Sequence, residues 1–189
     1  MPKWFLILGS FGLVLTTLSS STKARDDNFS RGSLKGLDSI FVQIDPLPSY
    51  IDGYETYTNQ IRTDTELKLR LAGINVVTSA GDIPPGGLAL NRDGATLYLS
   101  FTFLGNKSSD VLTYSMELQI WHWVSLMRNI DIGSPAITWS CGGIGTQSIP
   151  EDLRRQAKDM VEIFINAYLS VNPKIENTKI SNESKETRK

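Results

Sequence analysis

One histidine, His122, and one cysteine, Cys141, are all that this 189-residue chain offers to the commonest forms of side-chain catalysis. Most metal hydrolases gather several His or Cys ligands, and Ser–His or Cys–His chemistry sets a base of suitable pKa beside its nucleophile. A single residue of each type builds no such cluster. Cys141 acting as a nucleophile needs a base or cation at hand to form the thiolate, whereas a buried cysteine packs simply as a small hydrophobe. A buried Cys141 and a satisfied core His122 are therefore the expectation. Carboxylate pairs can cleave glycosidic bonds without histidine, provided their separation is fixed. Asp45, Asp52, Glu55 and Asp64 are close in sequence, but nothing in the sequence sets two of them at working distance. The glycine-rich run Ser140-Cys-Gly-Gly-Ile-Gly-Thr146 has backbone N–H groups that can cradle an anion. Its spacing fits neither a P-loop nor a dinucleotide fingerprint, so it reads as a structural turn from strand to helix. No cofactor or metal is implied.

The elements that position these residues follow from periodicity. Ile40, Val42 and Ile44 alternate along a first strand that stops at Asp45-Pro46. Residues 58–72 predict a helix, capped by Thr58 or Asn59, with Ile61, Thr65, Lys68 and Ala72 on one stripe and Leu67 and Leu71 beside it. Leu67, Leu69 and Leu71 also alternate, so a strand is the rival reading, and the cap signals favour the helix. Gly73 stands where a left-handed residue ends such a helix, and Ile74 follows as its hydrophobic contact. Ile74, Val76 and Val77 begin a second strand. Pro84-Pro-Gly-Gly87 is too rich in breakers to lie within an element. Leu97, Leu99, Phe101 and Phe103, a polar turn at 105–110, then Leu112 to Ile120 at period two specify an antiparallel hairpin. A short strand around Ile137–Trp139 joins it. Ser148-x-x-Glu151 is a capping box, with Pro150 in the first turn, and Leu153, Ala157, Met160, Phe164 and Ala167 form the stripe of a last helix. The implied fold class is α+β, with a mainly antiparallel sheet of four to five strands and two helices packed on one face.

Residues 1–24 have the layout of a signal peptide: Lys3, an apolar run over Trp4–Leu15, a Ser/Thr-rich stretch, and small residues Thr22 and Ala24 before the cut. The apolar run is short for a membrane span, which needs about 20 residues; an uncleaved anchor is the alternative. Residues 25–35 read as a linker, 36–172 as a single domain, and 173–189 as a disordered polar tail. Cleavage after Ala24 leaves 17 basic against 20 acidic side chains, with no basic face for nucleic acid. The expected place is the periplasm or cell surface of a bacterium.

Alternation sets Trp121 and Trp123 on the polar side of their strand, with Glu117 and Gln119, and His122 on the apolar side. Two neighbouring indoles on a polar sheet face can stack on a sugar or enter a partner's pocket. Those four residues are the candidate contact with an envelope protein or glycan.

The segment Gln60-Ile-Arg-Thr-Asp-Thr-Glu-Leu-Lys-Leu-Arg-Leu-Ala-Gly-Ile74, followed by Leu97-Tyr-Leu99, Tyr114-x-x-x-Leu118 and Thr138-Trp139, resembles a group of small uncharacterised exported bacterial proteins. The fold outline is also similar to accessory modules of periplasmic transport and assembly. The resemblance implies an exported, non-enzymatic envelope protein and carries over no catalytic residue. Two further readings stand beside it: a carboxylate hydrolase using the Asp45–Asp64 region, and a carrier with an apolar cavity between helices and sheet.

Overall fold

The computed structural model describes residues 26–78, 94–104, 112–147 and 150–173. The segment read as a signal peptide, the loop expected at 84–87, the turn expected at 105–110, Ser148 of the expected capping box and the expected tail beyond Pro173 lie outside them. A short helix α1 (Asn28–Gly32) leads to strand β1 (Ile40–Ile44), helix α2 (Tyr54–Leu71) and strand β2 (Val76–Val77). Strands β3 (Ala95–Leu104), β4 (Leu112–Leu126) and β5 (Asn129–Gln147) then precede helix α3 (Pro150–Val171).

The five strands form one sheet in the order β2-β1-β3-β4-β5. β3, β4 and β5 make an antiparallel meander, and β1 runs parallel to both β2 and β3. The sheet is thus mostly antiparallel, as the class expected, with a parallel β1–α2–β2 crossover at one side. Alternation decides which residues seal it. Ile40, Val42, Ile44, Leu97, Leu99, Met116, Leu118, Ile120, Trp139 and Cys141 point to one face and are buried. Ile61 and Leu69 of α2, with Leu153, Ala157, Met160, Val161, Phe164 and Ala167 of α3, close the same core. At about 25 cal/mol per Å² this apolar burial is the main drive to fold.

The exit of α2 is the predicted one. Gly73 takes φ +84°, its N–H donates to Arg70 O at 2.9 Å, and Ile74 N–H donates to Leu69 O at 3.0 Å. That pair of bonds is a Schellman motif, and Ile74 is buried. The start differs from expectation. Gly53, at φ +72°, caps the helix, so α2 begins one turn earlier than Thr58. Thr58 Oγ1 instead donates to Tyr54 O and accepts the N–H of Leu47, pinning the preceding loop. The buried stripe is Ile61, Thr65 and Leu69, while Leu67 and Leu71 face outward.

From Asp26 on, the segment 25–35 expected as a linker belongs to the fold. Asp27 and Ser30 form a reciprocal capping box for α1, and Leu34 is fully buried. Asp26 accepts a two-pronged bond from Arg31 and a third from Trp139 Nε1 at 3.0 Å. The Arg31 guanidinium holds the Asp26 carboxyl below its usual pKa. Asn172, just past α3, ties the same region down: its side chain donates to Leu34 O and accepts from Gly36 N–H.

The largest departure is β5, which runs for 19 residues where a short strand was expected. It includes the glycine run 142–145, predicted as a turn. Glycine weakens a strand because it has no side chain to pack. Here aromatic rings from β4 fill that space. Tyr114 lies against Gly145, where an added Cβ would sit 2.6 Å from the ring, and Trp123 lies across Gly133, where an added Cβ would collide with its indole. A cross-strand ring over a glycine restores the missing contact.

Candidate functional site

The β3–β4 ladder ends at the pair Thr96↔Trp121, but β4 continues to Leu126. Residues 122–126 therefore pair, among the described residues, only with β5, and 122–136 form a two-stranded arm beyond the body of the sheet. Met127 and Arg128 make its turn. A register shift after Ile120 leaves Thr138 opposite no residue in the β4–β5 ladder, a bulge at the arm's base. The arm carries exposed apolar side chains: Met127 100%, Ile130 75%, Ile132 46% and Trp123 44%. The tip is shaped by Asn129 Oδ1, which accepts the N–H of Asp131 at 3.1 Å.

The four nominated contact residues separate into three settings. Trp121 is half-buried, and its Nε1 donates to Gln119 Oε1 at 2.7 Å. Gln119 itself is buried, so Trp121 and Gln119 serve each other. Glu117 is exposed on the wetter sheet face, six residues from Trp123, or roughly 20 Å of strand. Trp123 alone projects on the arm. Sequence reading missed Met127, Ile130 and Ile132; the usable signal was an apolar run interrupted by a turn and followed by Gly133 and Pro135.

His122 is half-buried with Nδ1 2.7 Å from Thr138 Oγ1, the bulged residue. Burial lowers its pKa, keeping the ring neutral. Cys141 is buried with its Sγ 3.9 Å from Met160 O, and burial pushes the thiol up to about 12. A thiol so poised forms no thiolate near neutrality. No group of three His, Cys, Asp or Glu among the described residues can hold a metal ion.

Asp45 and Asp64 of the 45–64 region sit in different settings. Asp45 accepts from Tyr98 Oη at 2.6 Å on the wetter side of the sheet. Asp64 lies in the helix layer, where Arg154 reaches it through Nε at 2.5 Å and Nη2 at 3.1 Å, and Lys158 at 3.0 Å. Arg154, first of these, holds Asp64 below the usual carboxylate range. Asp52 and Glu55 are exposed. A groove of about 330 Å³ beside Asp64 is lined by Thr56, Asn59, Gln60, Thr63 and Arg154.

No family model matches this sequence, and no curated protein is significantly similar to it. The residues themselves carry the functional argument. Among the described residues, no helix is long and apolar enough to cross a membrane.

Proposed function

We propose that this protein is an exported, non-enzymatic domain of the bacterial envelope that binds another envelope protein, with Trp123 and the tip of the β4–β5 arm as the contact. The observation that carries the reading is the arm's exposed apolar set: Trp123, Met127, Ile130 and Ile132 lie outside the core cluster. An isolated two-stranded hairpin is marginally stable in water, and tryptophan and methionine are enriched where interfaces form. A protein partner suits the arm better than a lipid surface. Asp131 lies between the two isoleucines, and hydrocarbon leaves strand edges without hydrogen-bond partners. The layout of residues 1–24 supports export, and the different settings of Asp45 and Asp64, neutral His122 and un-ionised Cys141 weigh against catalysis.

The test is crosslinking from the arm in intact envelopes, with a photoreactive residue at position 127. A discrete adduct is expected, and it should disappear when Trp123→Ser is added. An adduct that persists in that variant, or one formed equally well from position 67 on α2, sinks the assignment. N-terminal sequencing of the exported chain should begin at Arg25; an intact Met1 would replace cleavage with anchoring.

A further inference from the structure

β5 is the last strand of the sheet, and among the described residues no strand pairs along its outer side. Alternate residues of such a strand turn their N–H and C=O outward, which makes it a template for another chain. Proteins normally blunt these edges with charge, proline, bulges or short length. β5 has such devices only in its first half: Asp131, Pro135 and the bulge at Thr138. From Trp139 to Gln147 the edge has neither a charge nor a proline. Among the described residues, nine consecutive residues of extended backbone thus have no strand on their outer side at the end of a five-stranded sheet.

We infer that this half of β5 is a self-association edge, where a second copy of the chain adds antiparallel across a two-fold axis at Gly143. Two features favour a second copy over an unrelated strand. A two-fold axis pairs residue i with residue j and j with i. A charge at the axis would meet its own copy, and a charge elsewhere would face an uncharged residue of this segment; the segment has no charge. The residues are also self-complementary about Gly143. On the wetter face Ile144, 51% exposed, would lie beside the partner's Gly142, a large side chain against none. Ser140 would face the partner's Thr146, a hydroxyl pair of the kind that stabilises neighbouring strands. On the helix side an added Cβ at Gly143 meets nothing within 4 Å among the described residues, which leaves room at the axis. Asp26, at the start of the α1 segment, bonds Trp139 at one end of this stretch. The two-fold axis therefore sends the two α1 regions to opposite ends. The result is a continuous ten-stranded sheet with both arms free, independent of the arm's proposed partner.

Sedimentation velocity on the purified full chain over a wide concentration range tests this. A reversible dimer is expected. Gly143→Lys sets two ammonium groups face to face at the axis, and Gly143→Glu sets two carboxylates there. Each should weaken the dimer roughly a hundredfold, the scale of penalty for like charges juxtaposed at an interface. Mixing the two variants should restore a mixed dimer. Ile144→Lys, on an exposed position, should weaken it as well, and Trp123→Ser should leave the mass unchanged. Circular dichroism of each variant establishes that the monomer is folded. A monomeric wild-type chain at every concentration overturns the inference. So does a dimer indifferent to Gly143→Lys and Ile144→Lys, or one that Trp123→Ser dissociates.

Discussion

Tyr114–Ile120 and His122–Leu126 belong to one strand, yet they live in different surroundings. The first stretch lies between β3 and β5 beneath the helix layer, and Tyr114, Met116, Leu118 and Ile120 are buried. The second has β5 alone beside it among the described residues, and its tryptophan is nearly half exposed. Period-two patterning sets which side of the strand a residue takes. Whether that side is sealed depends on how many neighbours reach it. β3 starts at Ala95, pairs as far as Trp121, and its end divides β4 into a structural half and a presented half.

Paired substitutions across that division sharpen the comparison. The largest effect belongs to Trp139→Ala. This residue is fully buried, packs edge-on against Phe164 at 5.3 Å and bonds Asp26, so its loss should cost about 3–5 kcal/mol in urea unfolding. Trp123→Ala removes the same atoms from the arm and should cost far less. Equal costs would erase the distinction between the halves.

Next come the two glycines beneath aromatic rings. Gly145→Ala drives a methyl into the buried Tyr114 ring and should destabilise by about 1–3 kcal/mol. Gly133→Ala meets Trp123, whose exposed ring can swing outward, so thermal melting should move much less. A Gly133 variant as unstable as the Gly145 one would mean that the arm is rigidly integrated with the core.

His122, at the division itself, predicts a pH dependence. Burial depresses its folded pKa below the unfolded value of about 6.5, so the folded state resists protonation more than the unfolded chain does. Its contribution is complete above that pH and is lost as pH falls through the depressed value. Stability measured between neutral pH and pH 5 should decline, and His122→Gln should flatten that decline. Asp26 and Asp64, both lowered by ion pairing, act at lower pH, below the usual carboxylate range. The smallest effect is expected at Tyr114, whose buried Oη has no hydrogen-bond partner among the described residues. Tyr114→Phe should be neutral or stabilising by about 1 kcal/mol, because it removes an unsatisfied hydroxyl. A marked loss would reveal a partner for that oxygen.

Much of the body was legible because its residues alternate or repeat cleanly. Leu97↔Ile120, Leu99↔Leu118 and Phe101↔Met116 pair on the face that alternation assigned them, and Leu153, Ala157, Met160, Phe164 and Ala167 form the buried stripe of α3. β5 was hidden because Gly133, Pro135, Gly142, Gly143 and Gly145 are local breakers. Fifteen residues of β4 impose extended geometry on them, a tertiary effect with no local trace. α1 was hidden for a related reason, since Asp26 and Leu34 acquire their roles from Trp139 and Asn172, distant in sequence. At the candidate site, Trp123 was visible as an outward indole. The burial of Gln119 was not, because composition cannot reveal that Trp121 bonds to it.

Hydrogen exchange mass spectrometry with and without the crosslinked partner tests the central proposal most directly. The arm, residues 122–136, should exchange readily in the isolated protein and become protected in the complex, while 113–120 remain protected in both. Protection arising instead on the α2–α3 surface, with the arm unchanged, would contradict the assignment of the arm as the contact.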